Sequence, residues 1–354
     1  MKFSSSISDP FGTNITFVIL AAIFVISCQR GNRTQLSGDV IKNPVVLNAD
    51  TKTRKVRLLP YWVPSSQFAG YYVGIEKGIF KKHGIDLEII PYDSQVSPDS
   101  LLRERKIDFA PLWLVNAIEI REKGVDIVNI AQFSTRSSLM LISKKSSGIN
   151  KIEDINGKKA GIWLGFEMQP KALFKKSKLD VKIIPIGSTN SLFLLGGVDV
   201  TNANWFDEYH SLINNGLNED EMNKFFFADY GLNFLEDGIY CLRNRITEDP
   251  DLCRDFMEAT LESWNYAFNN QNEAIDIVVK YAEAQKQPVN RSHQKWMLSA
   301  YKTLYIPAAT TSINTFLSEK DYDAIQNILM ESRLVGKGTP YDSFYKPFSK
   351  LIKK

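Results

Sequence analysis

The sequence predicts a two-lobed α/β protein in which each lobe is a mostly parallel sheet with flanking helices, followed by a helical C-terminal tail. Three observations predict it. Short apolar runs alternate with segments of helical period; the alternation restarts after Ser146-Ser147-Gly148; and nearly everything beyond Asp249 has helical period. With 354 residues, of which 44% are apolar and 23% charged, the chain can bury two cores.

In order, Val56 to Trp62 reads as a strand, and Gln67 to Lys82 as a helix carrying Phe68, Tyr72, Ile75 and Ile79 on one face. The Gly84 turn leads into a strand from Asp86 to Tyr92, and a third strand, Asp108 to Trp113, precedes a helix from Leu114 to Lys123. Apolar runs from Ile127 to Phe133 and from Leu139 to Lys144 close the first set, and Ser146 to Gly148 mark the crossing to the second. There a strand from Gly157 to Trp163, a helix from Glu167 to Lys176 and strands Val181 to Ile186 and Val198 to Trp205 precede a helix from Phe206 to Asn214. Phe225 to Tyr230 and Ile239 to Leu242 complete that set, the latter returning to the first lobe. The tail holds helices at Leu252 to Asn269, Glu273 to Ala284, His293 to Leu304 and Lys320 to Ser332.

At the start of the chain, Lys2 precedes a wholly apolar run from Phe17 to Ile26, the length of a signal-peptide core. It falls short of the roughly 20 apolar residues a spanning helix needs. Val25-Ile26-Ser27-Cys28 resembles a lipoprotein box, so Cys28 is the expected lipidation site. The polar, aperiodic stretch from Gln29 to Arg54 reads as a tether. The expected organisation is therefore a signal peptide (1–27), a lipidated tether (28–54), a first lobe (55–145), a second lobe (146–238), and a return strand with C-terminal helices packing mainly on the first lobe (239–354).

A net charge of +3 with scattered lysines argues against nucleic acid as a partner. Besides Cys28 there are Cys241 and Cys253, either paired or buried as small hydrophobes. His83, His210 and His293 have no second ligand at helical or hairpin spacing, so no metal site is expected, and no cofactor or nucleophile–base pair is indicated.

Four of the six tryptophans, Trp62, Trp113, Trp163 and Trp205, fall at carboxyl ends of predicted strands, two per lobe. Ligands of open α/β sheets bind at those ends. Large flat side chains there suit the walls of a pocket for a flat ligand, or they seal a sheet edge. The nearby charges are acidic: Glu167, Asp207, Glu208 and the pair Glu236-Asp237. Carboxylates accept from amino groups and protonated ring nitrogens, whereas each alone also suits a helix start. A sulfonate or nitrate would call for arginine, or would rest on helix amino ends.

The segment Trp62 to Phe80, WVPSSQFAGYYVGIEKGIF, with KKHGIDLEI after it, resembles the thiamine-pyrimidine family in its Trp-x-Pro opening and its "Tyr-Val-Ala-x-Glu-Lys-Gly-x-Phe" segment. Lys106 to Ala110, Asn156 to Gly161 and Gly197 to Val200 resemble later pieces of that family in the same order. The resemblance implies a type II periplasmic-binding-protein fold and a small-molecule ligand. One branch holds receptors for thiamine-pyrimidine precursors, whose partners are the membrane subunits of an ABC importer. Another holds synthases that build the pyrimidine from pyridoxal phosphate and their own histidine. Sulfonate, taurine and nitrate receptors share some of these pieces. Phe68 stands where the synthase has its sacrificial histidine, and Gly231 to Gly238 lacks a cysteine-rich run, which favours a receptor over an enzyme. The expected ligand-binding residues are Trp62, by resemblance a stacking residue, with Gln67, Tyr71, Trp113, Trp163, Glu167, Asn204, Trp205, Glu208 and Tyr230.

Overall fold

A computed structural model describes residues 53–187 and 189–351, so Cys28, the apolar leader and all of the expected tether except Thr53 and Arg54, the latter opening the first strand, lie outside the described residues. The chain begins with β1 (Arg54–Leu58), a 3-10 turn at Ser66–Phe68, α1 (Ala69–Glu76), α2 (Ile79–Lys82), β2 (Ile85–Ile89) and α3 (Pro98–Arg103). Then come β3 (Ala110–Leu112), α4 (Leu114–Glu122), β4 (Ile127–Gln132) and β5 (Leu139–Lys144). The next elements are β6 (Lys159–Trp163), α5 (Met168–Lys176), β7 (Lys182–Ile186), α6 (Ser191–Leu194), β8 (Val200–Asn204), α7 (Glu208–Asn214), β9 (Met222–Phe226) and β10 (Gly238–Leu242). Helices α8 (Arg243–Glu248), α9 (Pro250–Asn269), α10 (Gln271–Ala284), α11 (Arg291–Tyr305), α12 (Glu319–Glu331) and α13 (Tyr341–Phe344) complete the fold.

One sheet has β1 parallel to β2, a bridge from Leu58 to Phe109 linking β1 to the start of β3, and β10 lying antiparallel between β3 and β4. The other runs β7-β6-β8-β5-β9, with β5 antiparallel to both neighbours. Each sheet thus receives one reversed strand from a crossing segment. The tail helices cover the first sheet, α9 and α10 against α1. The α1–α9 approach is close because Gly70 and Gly74 have no Cβ. One at Gly70 would lie 2.5 Å from the Trp264 ring, and one at Gly74 would collide with Ser263 and Phe80.

Several expectations need correction. The helix expected over Gln67 to Lys82 is a 3-10 turn followed by two helices, α1 and α2, which Gly78 separates by taking φ +68°. The first strand stops at Leu58 instead of reaching Trp62. Leu59 still bonds to the Phe109 carbonyl at 3.1 Å, but Pro60 has no N–H to continue the ladder. Phe227–Tyr230, expected to extend a strand, forms a 3-10 turn. The crossing is at 133–138 rather than at Ser146 to Gly148, since Leu139–Lys144 pairs within the second sheet. Cys241 and Cys253 are both free and buried, and the hydrogen bond with Cys253, followed by burial, raises the Cys241 thiol. Among the described residues no helix is long and apolar enough to cross a membrane.

Candidate functional site between the two sheets

The strand registers fix where the cleft lies. The start of β10, Gly238, pairs with Leu112 and Gln132 at the carboxyl ends of β3 and β4. The start of β5, Leu139 and Met140, pairs with Asn204 and Phe226 at the carboxyl ends of β8 and β9. Both sheets therefore present strand carboxyl ends toward the two crossing segments, the setting in which α/β folds bind ligands.

Trp113 follows β3 directly and Trp163 ends β6, each only 9% exposed, and both meet Phe166 edge to face at 5.2 and 5.9 Å. The structure thus joins one tryptophan from each sheet through a third ring. The other two stand elsewhere. Trp62 lies beyond the end of β1, half-buried, its ring 5.3 Å from Tyr92. Trp205 follows β8 and packs edge-on against Trp296 of α11 at 5.8 Å, while its carbonyl accepts from the Trp296 indole at 2.9 Å.

This second contact belongs to a seam between α7 and α11. His293 Nε2 lies 2.9 Å from Asp207 Oδ1, and the Nδ1 atoms of His293 and His210 are 2.9 Å apart, so one imidazole donates and the other accepts. His210 also stacks on Trp296 at 4.7 Å. Burial and then His293 lower the His210 pKa, and Asp207 opposes them.

The expected carboxylates are already engaged. Glu167 Oε1 accepts from the Gly165 N–H at 3.2 Å, and Glu208 Oε2 from the Asn204 N–H at 3.0 Å. Burial and neighbouring Asp207 hold the Glu208 pKa well above the usual range. Asn204 is buried, its Oδ1 accepting from Ser138 Oγ at 3.2 Å. Tyr230 is half-buried; its carbonyl accepts from Lys176 Nζ at 2.7 Å, and burial raises its phenol. Tyr71 is 1% exposed, turned inward onto the Trp264 edge, and burial followed by Asp237 raises its phenol. Gln67 is half-buried in the 3-10 turn, with its amide toward Asp237.

The centre of the site is the crossing pair, Glu236 and Asp237. Glu236 Oε1 accepts from Ser137 Oγ at 2.8 Å and the Ser138 N–H at 2.9 Å, stitching one crossing segment to the other. Its carbonyl accepts from Gln132 at 2.5 Å and also from Ser134. Burial pushes the Glu236 carboxyl up to about 8 and Asp237 up to about 7, the latter opposed by Tyr301, Gln67 and Tyr305. Phe166, Tyr301 and Tyr305 were not legible as site residues. The first sits in a loop of ordinary composition, and the other two lie in the tail.

The chain matches the family described as NMT1/THI5 like over residues 65–274. The chain belongs to the NMT1/THI5-like family. Among its relatives, the riboflavin-binding protein RibY of Chloroflexus aurantiacus is 25% identical over 279 residues, 75% of this chain and 77% of that one. A formylaminopyrimidine-binding protein of Halalkalibacterium halodurans is 20% identical over 299 residues, covering 80% and 84%. The aliphatic sulphonate binding protein SsuA of Escherichia coli superposes with a TM-score of 0.65 at 13% identity, covering 83% of this chain and 92% of that one. This NMT1/THI5-like chain therefore has the periplasmic binding protein fold expected from its sequence.

Proposed function

We propose that the chain is the exported, ligand-binding subunit of an ABC importer, and that its ligand is a thiamine-related aminopyrimidine. The observation that carries the reading is the Trp113–Phe166–Trp163 cluster, which draws on both sheets at their strand carboxyl ends and offers flat aromatic surface to a flat ring. The two relatives named for their ligands bind flat nitrogen heterocycles, riboflavin and formylaminopyrimidine. A sulfonate is less well served, because no lysine or arginine is buried among the described residues. The synthase reading has a phenyl ring, Phe68, where it needs a histidine, and that ring is 2% exposed in the core.

Titration of the purified protein with 4-amino-5-hydroxymethyl-2-methylpyrimidine is expected to quench tryptophan fluorescence. Trp163→Ala is expected to weaken binding by about 1 to 3 kcal/mol, roughly 5- to 150-fold. Micromolar binding of taurine with no response to the pyrimidine would reject the ligand. Lipid anchoring at Cys28 is part of the proposal. Cys28→Ala is expected to move the protein from the membrane to the soluble fraction, and unchanged fractionation and processing would remove the anchor from it.

A further inference from the structure

Buried acids need a partner, because an isolated carboxylate out of water is costly. Three acidic side chains are more than nine-tenths buried among the described residues: Asp108, Glu236 and Asp237. Asp108 has its partners, the guanidinium groups of Arg57 and Arg245. The crossing pair has none, since no lysine, arginine or histidine is buried with it. Glu236 spends one oxygen on Ser137 and Ser138. Asp237 is the more open of the two. Its Oδ2 and the facing Tyr301 hydroxyl are both buried without a hydrogen bond of good geometry.

The position of Asp237 also suits a ligand contact. It immediately precedes β10, at the carboxyl ends of β3 and β4, and holds φ +55°, a left-handed conformation that Asp and Asn accept more readily than most residues. Gln67 reaches it from the turn after β1, and Tyr301 and Tyr305 reach it from α11. Phe206, from the loop after β8 in the other sheet, packs edge to face on Tyr301 at 4.8 Å, so both sheets border this corner.

We propose that Asp237 anchors the ligand through an amidine-type edge, a ring nitrogen beside an amino group, with Gln67 and Tyr301 completing the subsite. This rests on the aminopyrimidine reading above and names the group that recognises it. A carboxyl group matches such an edge with two parallel hydrogen bonds. One joins an oxygen to the amino N–H, and the other shares a proton between the second oxygen and the ring nitrogen. With the Asp237 pKa near 7, either a neutral acid with a neutral ring or a carboxylate with a protonated ring satisfies both bonds.

The test is calorimetric titration of the mature protein and of Asp237→Asn at pH 7 with two probes, 4-amino-5-hydroxymethyl-2-methylpyrimidine and its 4-oxo counterpart. Asparagine keeps the shape and the left-handed backbone and, by turning its amide, meets either edge with one N–H and one carbonyl, but it cannot supply the negative charge that a protonated aminopyrimidine ring needs. The wild type is expected to prefer the amino compound. In Asp237→Asn the ratio of the two affinities is expected to fall by at least about 10-fold, because the amide meets both edges and holds no charge. An amino-over-oxo preference that is the same in both proteins overturns the assignment of Asp237 and leaves the aminopyrimidine reading standing. A wild type that binds neither probe overturns both. Should the variant fail to fold, Gln67→Leu at the half-buried edge reads the same subsite. A fall of about 5-fold is expected there, and unchanged affinity overturns the proposal.

Discussion

Glu236→Gln is expected to make the protein more stable at pH 8 than the wild type, by on the order of 3 kcal/mol, seen as a melting temperature higher by roughly 5 to 10 °C. The direction follows from the burial that raises this carboxyl to about 8 from an ordinary 4.5. Its unfolded form ionises near pH 4.5 while its folded form stays protonated. The stability it contributes is therefore complete at low pH and is lost as pH rises toward 8. Glutamine keeps the oxygen that accepts from Ser137 and Ser138 and has no proton to lose. Melting curves from pH 5 to 8 check this. The wild type should lose stability across that range and the variant much less, with Asp237 supplying the residual slope. Parallel pH profiles for the two proteins would contradict the assignment.

The second large effect concerns packing. Gly70→Val is expected to cost about 3 kcal/mol, because the new Cβ starts 2.5 Å from the Trp264 ring and α1 cannot withdraw without opening its contact with α9. Gly74→Val should cost a similar amount against Ser263 and Phe80. Denaturant midpoints provide the measurement, and variants within 0.5 kcal/mol of the wild type, about the scatter of neutral surface changes, would show that the helices yield.

The alternation of apolar runs and helical periods reveals the order of strands and helices because each element announces itself locally. The crossing is different. Ser146 to Gly148 looks like a boundary since it ends in a glycine, and Gly148 does take φ +73°, but it only closes a 3-10 turn. The true crossing, FSTRSS, has neither Gly nor Pro and is held by Glu236, a partner 98 residues from Ser138. Leu139–Lys144 is apolar enough for either sheet, and only the pairing with β8 and β9 assigns it. Trp113 and Trp163 could be placed because each adjoins its strand, whereas Pro60 carries Trp62 away from β1. Tyr301 and Tyr305 come to Asp237 from a tail helix, a long-range meeting that no local pattern encodes.

The reversed strand β10 has a consequence for how the protein is made. Strands β3 and β4 do not pair with each other; each pairs with β10, whose first residue, Gly238, follows the end of β4 at Gln132 by 106 positions. While the chain is being synthesised, the first sheet consequently waits with an empty slot until the whole second sheet, which ends at Phe226, has been translated. Such distant pairing delays closure, and domains otherwise tend to fold as they emerge. A gene truncated anywhere before β10 would yield a first sheet without the strand that joins β3 to β4, so the first lobe is not an independent building block. The same delay keeps the nascent polypeptide unlocked for longer, as the proposed export would require.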